Sequence, residues 1–371
     1  MRRISAYLAD SDLDRSPERL VANARQVFKG SELHGAGFLF DDNGAERGEC
    51  EPLSIMRAII AEDKKYGDKI RPFLTGEDVV ASPTHETRRF AIDVNSLSLD
   101  ELKNEYPLLF DILDRRVRPQ RKLDKRPARK NNWWRYGERS SGLYNAIAGS
   151  NELLCTTFTS PHMSFANLDN KYIFSNMVIV FTGNTTGKLS SLQSRIHEVW
   201  TRFFASTLED RLRYTPSDCF ETFPVPPNLE TALALEAAGQ AYQEHRAALM
   251  VTHNEGMTKT YNRFHDRAEK SADIQRLRDL HAEIDRSVLA AYGWDDLAAG
   301  AEAQWLDDTN EPEHAYQGRL FWPSAFRDEV LRRLLALNAE RAAAERAAGL
   351  VATPFEATDD FVDPVLTQVA G

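Results

Sequence analysis

The feature that most constrains the fold of this chain is a change of sequence pattern at the prolines Pro224, Pro226 and Pro227. Before them, short β-rich runs alternate with helical segments, and turn signals separate the two. After Leu229 the chain is rich in alanine, glutamate and arginine and follows a helical period. The pattern predicts a mixed α/β (α+β) part followed by an α-helical part.

The length of 371 residues and a hydrophobic content of 42% are enough for two or three packed domains. We divide the chain into a leading helix and linker, a mixed domain, a helical domain and a flexible tail. The expected bounds of these four segments are residues 1–29, 30–227, 228–350 and 351–371.

Local patterns are specific enough to predict individual elements. We expect helices over residues 17–28, 52–62, 98–113 with a break at Pro107, 189–208, 273–292 and from Ser324 onward. We expect strands over residues 38–40, 88–94, 152–159 and 171–182. Residues 257–266 fit a loop packed on the helices, or a nucleic-acid contact through Lys259, Tyr261, Arg263 and His265.

Composition also narrows the class of protein. No apolar run approaches the roughly 20 residues of a membrane-spanning helix, and the first residues lack an apolar signal core. The three cysteines, Cys50, Cys155 and Cys219, have no metal-like spacing. We therefore expect a soluble cytoplasmic protein with no membrane partner.

A strongly basic segment at residues 114–144 stands out because the whole chain has a formal net charge of -10. Its cations are Arg115, Arg116, Arg118, Arg121, Lys122, Lys125, Arg126, Arg129, Lys130, Arg135 and Arg139. Pro119 and Pro127 interrupt any continuous helix, so these charges do not form one solvated helical stripe. We refer to residues 114–144 as the basic segment.

The basic segment ends with side chains that suit nucleic-acid bases. Asn131, Asn132, Trp133, Trp134 and Tyr144 accompany the arginines, and guanidinium, amide and aromatic groups bind phosphates, base edges and base faces. The segment is therefore a candidate DNA-binding site. The alternative is a solvated basic loop whose tryptophans anchor it in the core.

Catalytic and cofactor motifs do not assemble from this sequence. Gly30, Gly35 and Gly37 follow a helix and precede a strand, which is the reverse of a nucleotide-binding loop. His197 is isolated on its helix and fits a structural role. The sequence gives no catalytic residues, no metal ligands and no cofactor site of its own.

A series of strings resembles the MmeI-like (type IIG/IIL) restriction-modification DNA adenine methyltransferases. In the order that this family uses, between about residue 3 and about residue 350, they are FKGSELHGAGFLF, IRPFLTGEDV, RRFAIDV, YPLLFDILDRRVRPQRK, NNWWRYGERSSGLYNAIAG, SSLQSRIHEVWTRFFASTL, RYTPSDCFETFPVP, MTKTYNRFHD and LRDLHAEIDRSVLAAYGW. The resemblance implies that residues 30–227 are a target recognition domain. It also implies that S-adenosylmethionine binds to a catalytic domain that would precede residues 1–29.

The function expected from this resemblance is sequence-specific recognition of double-stranded DNA for an adenine-N6 methyltransferase of restriction-modification or phage defence. One alternative is a split or truncated methyltransferase subunit that is active only with a separate catalytic chain. A second is a helical protein-interaction module that does not bind DNA. Whether the chain takes part in catalysis stays open at this point, since the family is enzymatic and the catalytic motifs are not found in these residues.

Overall fold

The computed structural model describes residues 16–350 except 184, 206, 209, 210 and 230. The expected tail at 351–371 and the first half of the expected leading segment lie outside these residues. The α-helices are α1 (Asp42–Glu46), α2 (Leu53–Glu62), α3 (Gly76–Ala81), α4 (Leu99–Glu105), α5 (Pro107–Arg116), α6 (Arg118–Arg121), α7 (Pro127–Asn131), α8 (Ser141–Ala146), α9 (Thr186–Gln193), α10 (Arg195–Phe204), α11 (Pro216–Cys219), α12 (Leu233–His253), α13 (Met257–His265), α14 (Ala272–Ala291), α15 (Asp295–Ala299) and α16 (Ser324–Ala347).

The strands are short. They are β1 (Val27–Lys29), β2 (Leu39–Phe40), β3 (Ile70–Leu74), β4 (Phe90–Ile92), β5 (Glu152–Thr157), β6 (Thr159–Ser160), β7 (Ala166–Asp169), β8 (Ile173–Phe174), β9 (Val178–Phe181), β10 (Thr207–Leu208), β11 (Arg211–Arg213), β12 (Gln304–Leu306) and β13 (Arg319–Phe321). Turns of 3-10 helix cover Val21–Asn23, Ala36–Phe38, Lys64–Lys69 and His314–Tyr316. Strands therefore concentrate before residue 214, as the α+β prediction requires.

The central sheet is antiparallel with the strand order β1-β9-β5-β7. Its side chains alternate between two apolar layers, as the period of two in a strand demands. Leu153, Cys155 and Val180 face one core, whereas Leu154 and Phe181 face the other. Both faces of this sheet are thus buried, which explains its continuous apolar runs.

A second sheet has the order β2-β4-β3-β8, and its β3–β8 pair is parallel. It supports a separate core that holds Phe40, Phe73, Ile92 and the two tryptophans of the basic segment. Smaller sheets pair β10, β11 and β6, and β12 with β13. The basic segment is therefore attached to the second sheet rather than to the helical part.

The helical part and the central sheet share one core. Its buried side chains include Leu153 and Val180 of the sheet, Trp200 of α10, Leu235 of α12 and Leu277 of α14. A buried ion pair crosses the same junction, because Arg195 Nη1 lies 2.6 Å from Asp285 Oδ2 and both side chains are at most 2% exposed. The proline-rich string marks a change of architecture without interrupting the core.

Three predicted elements need correction. Residues 17–28 form a 3-10 turn and the start of β1 rather than a helix. The single helix expected over 189–208 is two helices, because Ser194 adopts an extended conformation and caps α10 through the His197 amide. Residues 257–265 are the helix α13 rather than a loop.

Within the described residues, no helix combines the length and the apolar character that a bilayer-spanning helix needs.

Candidate nucleic-acid interface

The basic segment comprises the end of α5, the short helices α6 and α7 and the start of α8, joined by turns. Pro107, Pro119 and Pro127 lie in the first turns of α5, α6 and α7. Proline fits that position because the first amides of a helix have no intrahelical acceptor. The broken path predicted from the prolines is present, and it spreads the cations over several directions.

Two arginines of the segment point inward and fix α6 and α7. Arg121 is 2% exposed and donates from Nη2 to the carbonyl oxygens of Leu33 at 2.7 Å and Arg135 at 3.2 Å. Arg129 is 9% exposed and donates to Glu138 Oε1 at 2.9 Å. These guanidinium groups support the segment from inside, so in this conformation they do not face an external ligand.

The aromatic residues proposed for base contacts are also part of the interior. Trp133 and Trp134 are 6% and 8% exposed, and Trp134 Nε1 donates to the Leu97 carbonyl at 3.0 Å. The Tyr144 hydroxyl bonds to Ser31 Oγ and accepts from the Phe174 amide, both at 3.2 Å. Burial raises the pKa of Tyr144 to about 12. This arrangement agrees with the alternative in which the tryptophans anchor the segment.

Three further predicted contacts are half-buried and bonded to the backbone. Arg135 donates to the Leu97 carbonyl at 3.0 Å, and Arg139 donates to the Asn95 carbonyl at 3.3 Å. Asn132 donates to the Ala128 carbonyl at 3.1 Å, which closes α7. These side chains position the end of the segment.

The arginines at the start of the segment are held by carboxylates. Arg115 and Arg116 both lie 2.8 Å from Glu51 Oε1. Arg118 pairs with Asp114 at 2.6 Å and also lies over the ring of Trp133 at 5.3 Å. The two guanidinium groups on Glu51 lower the pKa of this carboxyl despite its burial. Two cations against one carboxylate leave this edge positively charged.

Three lysines complete the outward surface. Lys122, Lys125 and Lys130 are exposed, and no carboxylate pairs with them in the part of the chain that the structure describes. Arg126 and Asn131 are exposed beside them, and Arg126 lies 3.8 Å from Glu138. We call Lys122, Lys125, Arg126, Lys130 and Asn131 the exposed basic face. It offers ammonium, guanidinium and amide donors to an anionic partner.

One cluster near the basic segment has metal-ligand residue types. Glu32, His34 and Glu138 bring ligand atoms within 4.8 Å of one another. Glu138 is already paired with Arg129, and Arg126 lies nearby. These two positive charges oppose the binding of a cation, so we interpret the cluster as part of an ion-pair network.

The structure also assembles a basic and aromatic group that the sequence analysis missed. Lys29 Nζ lies 4.5 Å and the Arg213 guanidinium 4.9 Å from the ring centre of Phe158. Lys29 lies three residues before Glu32, whose backbone pairs with that of Glu138. Lys29 in β1, Phe158 between β5 and β6, and Arg213 in β11 are far apart in sequence, so no local pattern could have identified this group.

The four side chains proposed as an alternative nucleic-acid contact at residues 257–266 are also partly internal. Tyr261 is buried, and Arg263 pairs with Glu255 at 2.7 Å and Glu269 at 2.9 Å. His265 stacks on His162 at 5.3 Å and accepts a hydrogen bond from the Leu320 amide. Of the four side chains, only Lys259 is exposed. An open cavity of about 490 Å³ adjoins the stacked histidines. His197 is likewise internal, with Nε2 2.9 Å from the Tyr214 hydroxyl.

Comparisons with known proteins agree with this architecture. Residues 53–227 match the family model described as MmeI, target recognition domain. The fold is similar to a solved structure of the type IIL restriction-modification enzyme MmeI in complex with DNA, with a TM-score of 0.64 and 17% sequence identity. That match covers 92% of this chain and 39% of the MmeI chain, so this chain spans about two fifths of that enzyme's length. No curated protein matches the chain.

Proposed function

We propose, from the premise that residues 53–227 are a target recognition domain of the MmeI family, that this chain recognises a specific sequence in double-stranded DNA. The family match carries the proposal, and the exposed basic face supports it physically. In this proposal the chain provides DNA recognition for an adenine-N6 methyltransferase of restriction-modification or phage defence. Such a chain would act in the cytoplasm, where its DNA is.

The exposed basic face supplies the phosphate contacts in this proposal. Its lysines have no internal ion pair to break in the described residues, so they can neutralise phosphates without a loss of stabilising contacts. Arg115, Arg116 and Arg118 would add positive potential while keeping their carboxylate partners. Contacts of this kind fix position on the duplex but carry little sequence information.

Sequence reading requires side chains that reach base edges. Asn131 is the exposed amide of the basic face, and an amide suits the paired donor and acceptor of adenine in the major groove. The group formed by Lys29, Phe158 and Arg213 offers an exposed guanidinium, which suits guanine. We assign base reading to these two places. Trp133, Trp134 and Tyr144 would act by holding the segment in shape.

Methyl transfer needs a second module in this proposal. A target base must leave the duplex before its amino group can react, and a recognition module keeps the opened duplex in register. We propose that S-adenosylmethionine binds to a catalytic methyltransferase module, which a separate chain could supply. The described residues of this chain would contribute positioning and specificity.

The proposal is tested by binding selection from random duplexes, followed by titration of the purified chain at several salt concentrations. We expect one enriched sequence and affinity that falls as salt rises. Calorimetry with S-adenosylmethionine should show no stoichiometric binding to the purified chain. Failure to bind any duplex at low salt would contradict the proposal and would favour a helical protein-interaction module.

A further inference from the structure

Leu123 is the most exposed large apolar side chain among the described residues, with 85% of its surface accessible. Single exposed apolar residues are common on soluble proteins and usually need no explanation. The surroundings of Leu123 are unusual, because Lys122, Lys125 and Arg126 are all exposed cations within three residues of it. An apolar side chain in this position gains no burial from the fold itself.

The turn that carries Leu123 is well fixed. The Leu123 amide donates to the Gln120 carbonyl at 3.1 Å, and the Arg126 amide donates to Asp124 Oδ1 at 2.9 Å. The helices on either side, α6 and α7, are anchored by the buried arginines Arg121 and Arg129. The fold thus presents Leu123 at little conformational cost to a partner.

We propose that Leu123 is an apolar wedge that inserts between base pairs of duplex DNA from the minor groove. The inference rests on the proposed DNA-binding function and adds a residue that deforms the duplex. Proteins that kink DNA use apolar side chains in this way, with cations that contact the adjoining phosphates. Lys122 precedes Leu123 in the chain, Lys125 and Arg126 follow it closely, and these three exposed side chains supply those cations.

The physical consequence is a local opening of one base step. Separating two base pairs costs stacking energy, which is recovered when the bent duplex contacts more of the protein surface. The opened step also lowers the local twist of the DNA. Binding should therefore unwind a closed circular plasmid, and this unwinding can be measured before the recognised sequence has been identified.

The test compares wild type with Leu123→Ser, Leu123→Met and Leu233→Ser. Leu233 is a matched control, since it is 78% exposed but lies at the start of α12. Each protein is titrated against duplex DNA at several salt concentrations. Each is also bound to plasmid during relaxation by a topoisomerase, which records unwinding as a change in linking number.

We expect Leu123→Ser to bind about tenfold more weakly, because one buried leucine is lost from the complex, with an unchanged salt slope because no charge is removed. At saturating protein it should no longer unwind the plasmid. Leu123→Met, which keeps a long apolar side chain, and Leu233→Ser should behave as wild type. Normal unwinding by Leu123→Ser would overturn the wedge and leave DNA recognition intact. An absence of duplex binding by wild type would instead overturn the proposed function.

Discussion

Arg121 Nη2 lies 2.7 Å from the carbonyl oxygen of Leu33, whereas the next residue, Lys122, is exposed to solvent. Adjacent cations of one basic segment therefore have different roles. Arg121 connects α6 to the residues that follow β1, and Lys122 is available to a partner. This division separates stability from binding among residues that the sequence presents as equivalent.

The first prediction follows from that division. Arg121→Ala should lower the free energy of unfolding by roughly 2 kcal/mol, because the buried guanidinium that donates hydrogen bonds to two backbone carbonyl groups is lost. Lys122→Ala should change it by less than about 0.5 kcal/mol, as an exposed substitution without a partner does. Denaturant titrations of the two variants measure both effects. Equal stability of the two variants would show that Arg121 is not an anchor.

The second prediction concerns the contact between α9 and α12. A Cβ at Gly239 would lie 2.1 Å from the Thr186 carbonyl oxygen, which is backbone and cannot move away cheaply. Gly239→Ala should therefore destabilise the protein by roughly 1 to 3 kcal/mol, although alanine is the better helix former by about 1 kcal/mol.

The control is Gly142→Ala in α8, where the nearest atom to the new Cβ is Phe28 Cε1 at 3.5 Å. This variant should be neutral or slightly more stable. Thermal unfolding measures the melting temperatures of both variants. A gain in melting temperature for Gly239→Ala would mean that α9 and α12 are not in such close contact.

Several helices and the division into two architectures could be predicted from the sequence, because apolar periodicity and prolines are local signals. The inward direction of the Arg121 and Arg129 side chains could not be predicted from the sequence, since nothing in the local sequence marks Leu33 and Glu138 as their partners. The break at Ser194 was missed because apolar spacing continues across it. The group around Phe158 depends on strand pairing between distant residues.

The third prediction is a loss of stability in weak acid. Burial lowers the pKa of His162 to about 4 and that of His197 to about 3, from about 6.5 in the unfolded chain. The unfolded state therefore binds protons that the folded state does not, and stability falls as the pH drops below about 6.5. Each such histidine contributes up to about 1.4 kcal/mol per pH unit.

Thermal unfolding between pH 7.5 and 5 measures this dependence. His197→Asn should have a lower melting temperature at pH 7.5 but a shallower decline toward pH 5, because one proton-uptake site is gone. An unchanged decline in His197→Asn would mean that this histidine is not held neutral by the fold.

The fourth prediction concerns the expected boundary between residues 227 and 228. Pro227 and Asn228 are exposed, so limited proteolysis should cut the chain within residues 227–231. The two fragments should stay together in size-exclusion chromatography, because the sheet and the helices share one buried core. Separation of folded fragments would show that each part has an independent core.

The fifth prediction addresses the claim that the exposed basic face binds DNA. The variant Lys122→Ala/Lys125→Ala/Lys130→Ala removes three exposed lysines that have no carboxylate partner among the described residues. Each phosphate contact contributes about -0.9 to the slope of log affinity against log salt on duplex DNA. Loss of three contacts should reduce the magnitude of the slope by about two to three units.

The control is a variant with the same charge change at exposed positions outside the basic segment, Lys64→Ala/Lys270→Ala/Arg286→Ala. Circular dichroism establishes that both variants are folded.

The most direct measurement is the salt dependence of duplex binding by wild type and these two variants, obtained by fluorescence anisotropy with the selected sequence and with an unrelated one. We predict that the basic-face variant binds both duplexes more weakly and has a flatter salt slope, while the control variant matches wild type. A folded basic-face variant with the affinity and the salt slope of wild type would contradict DNA binding by this face.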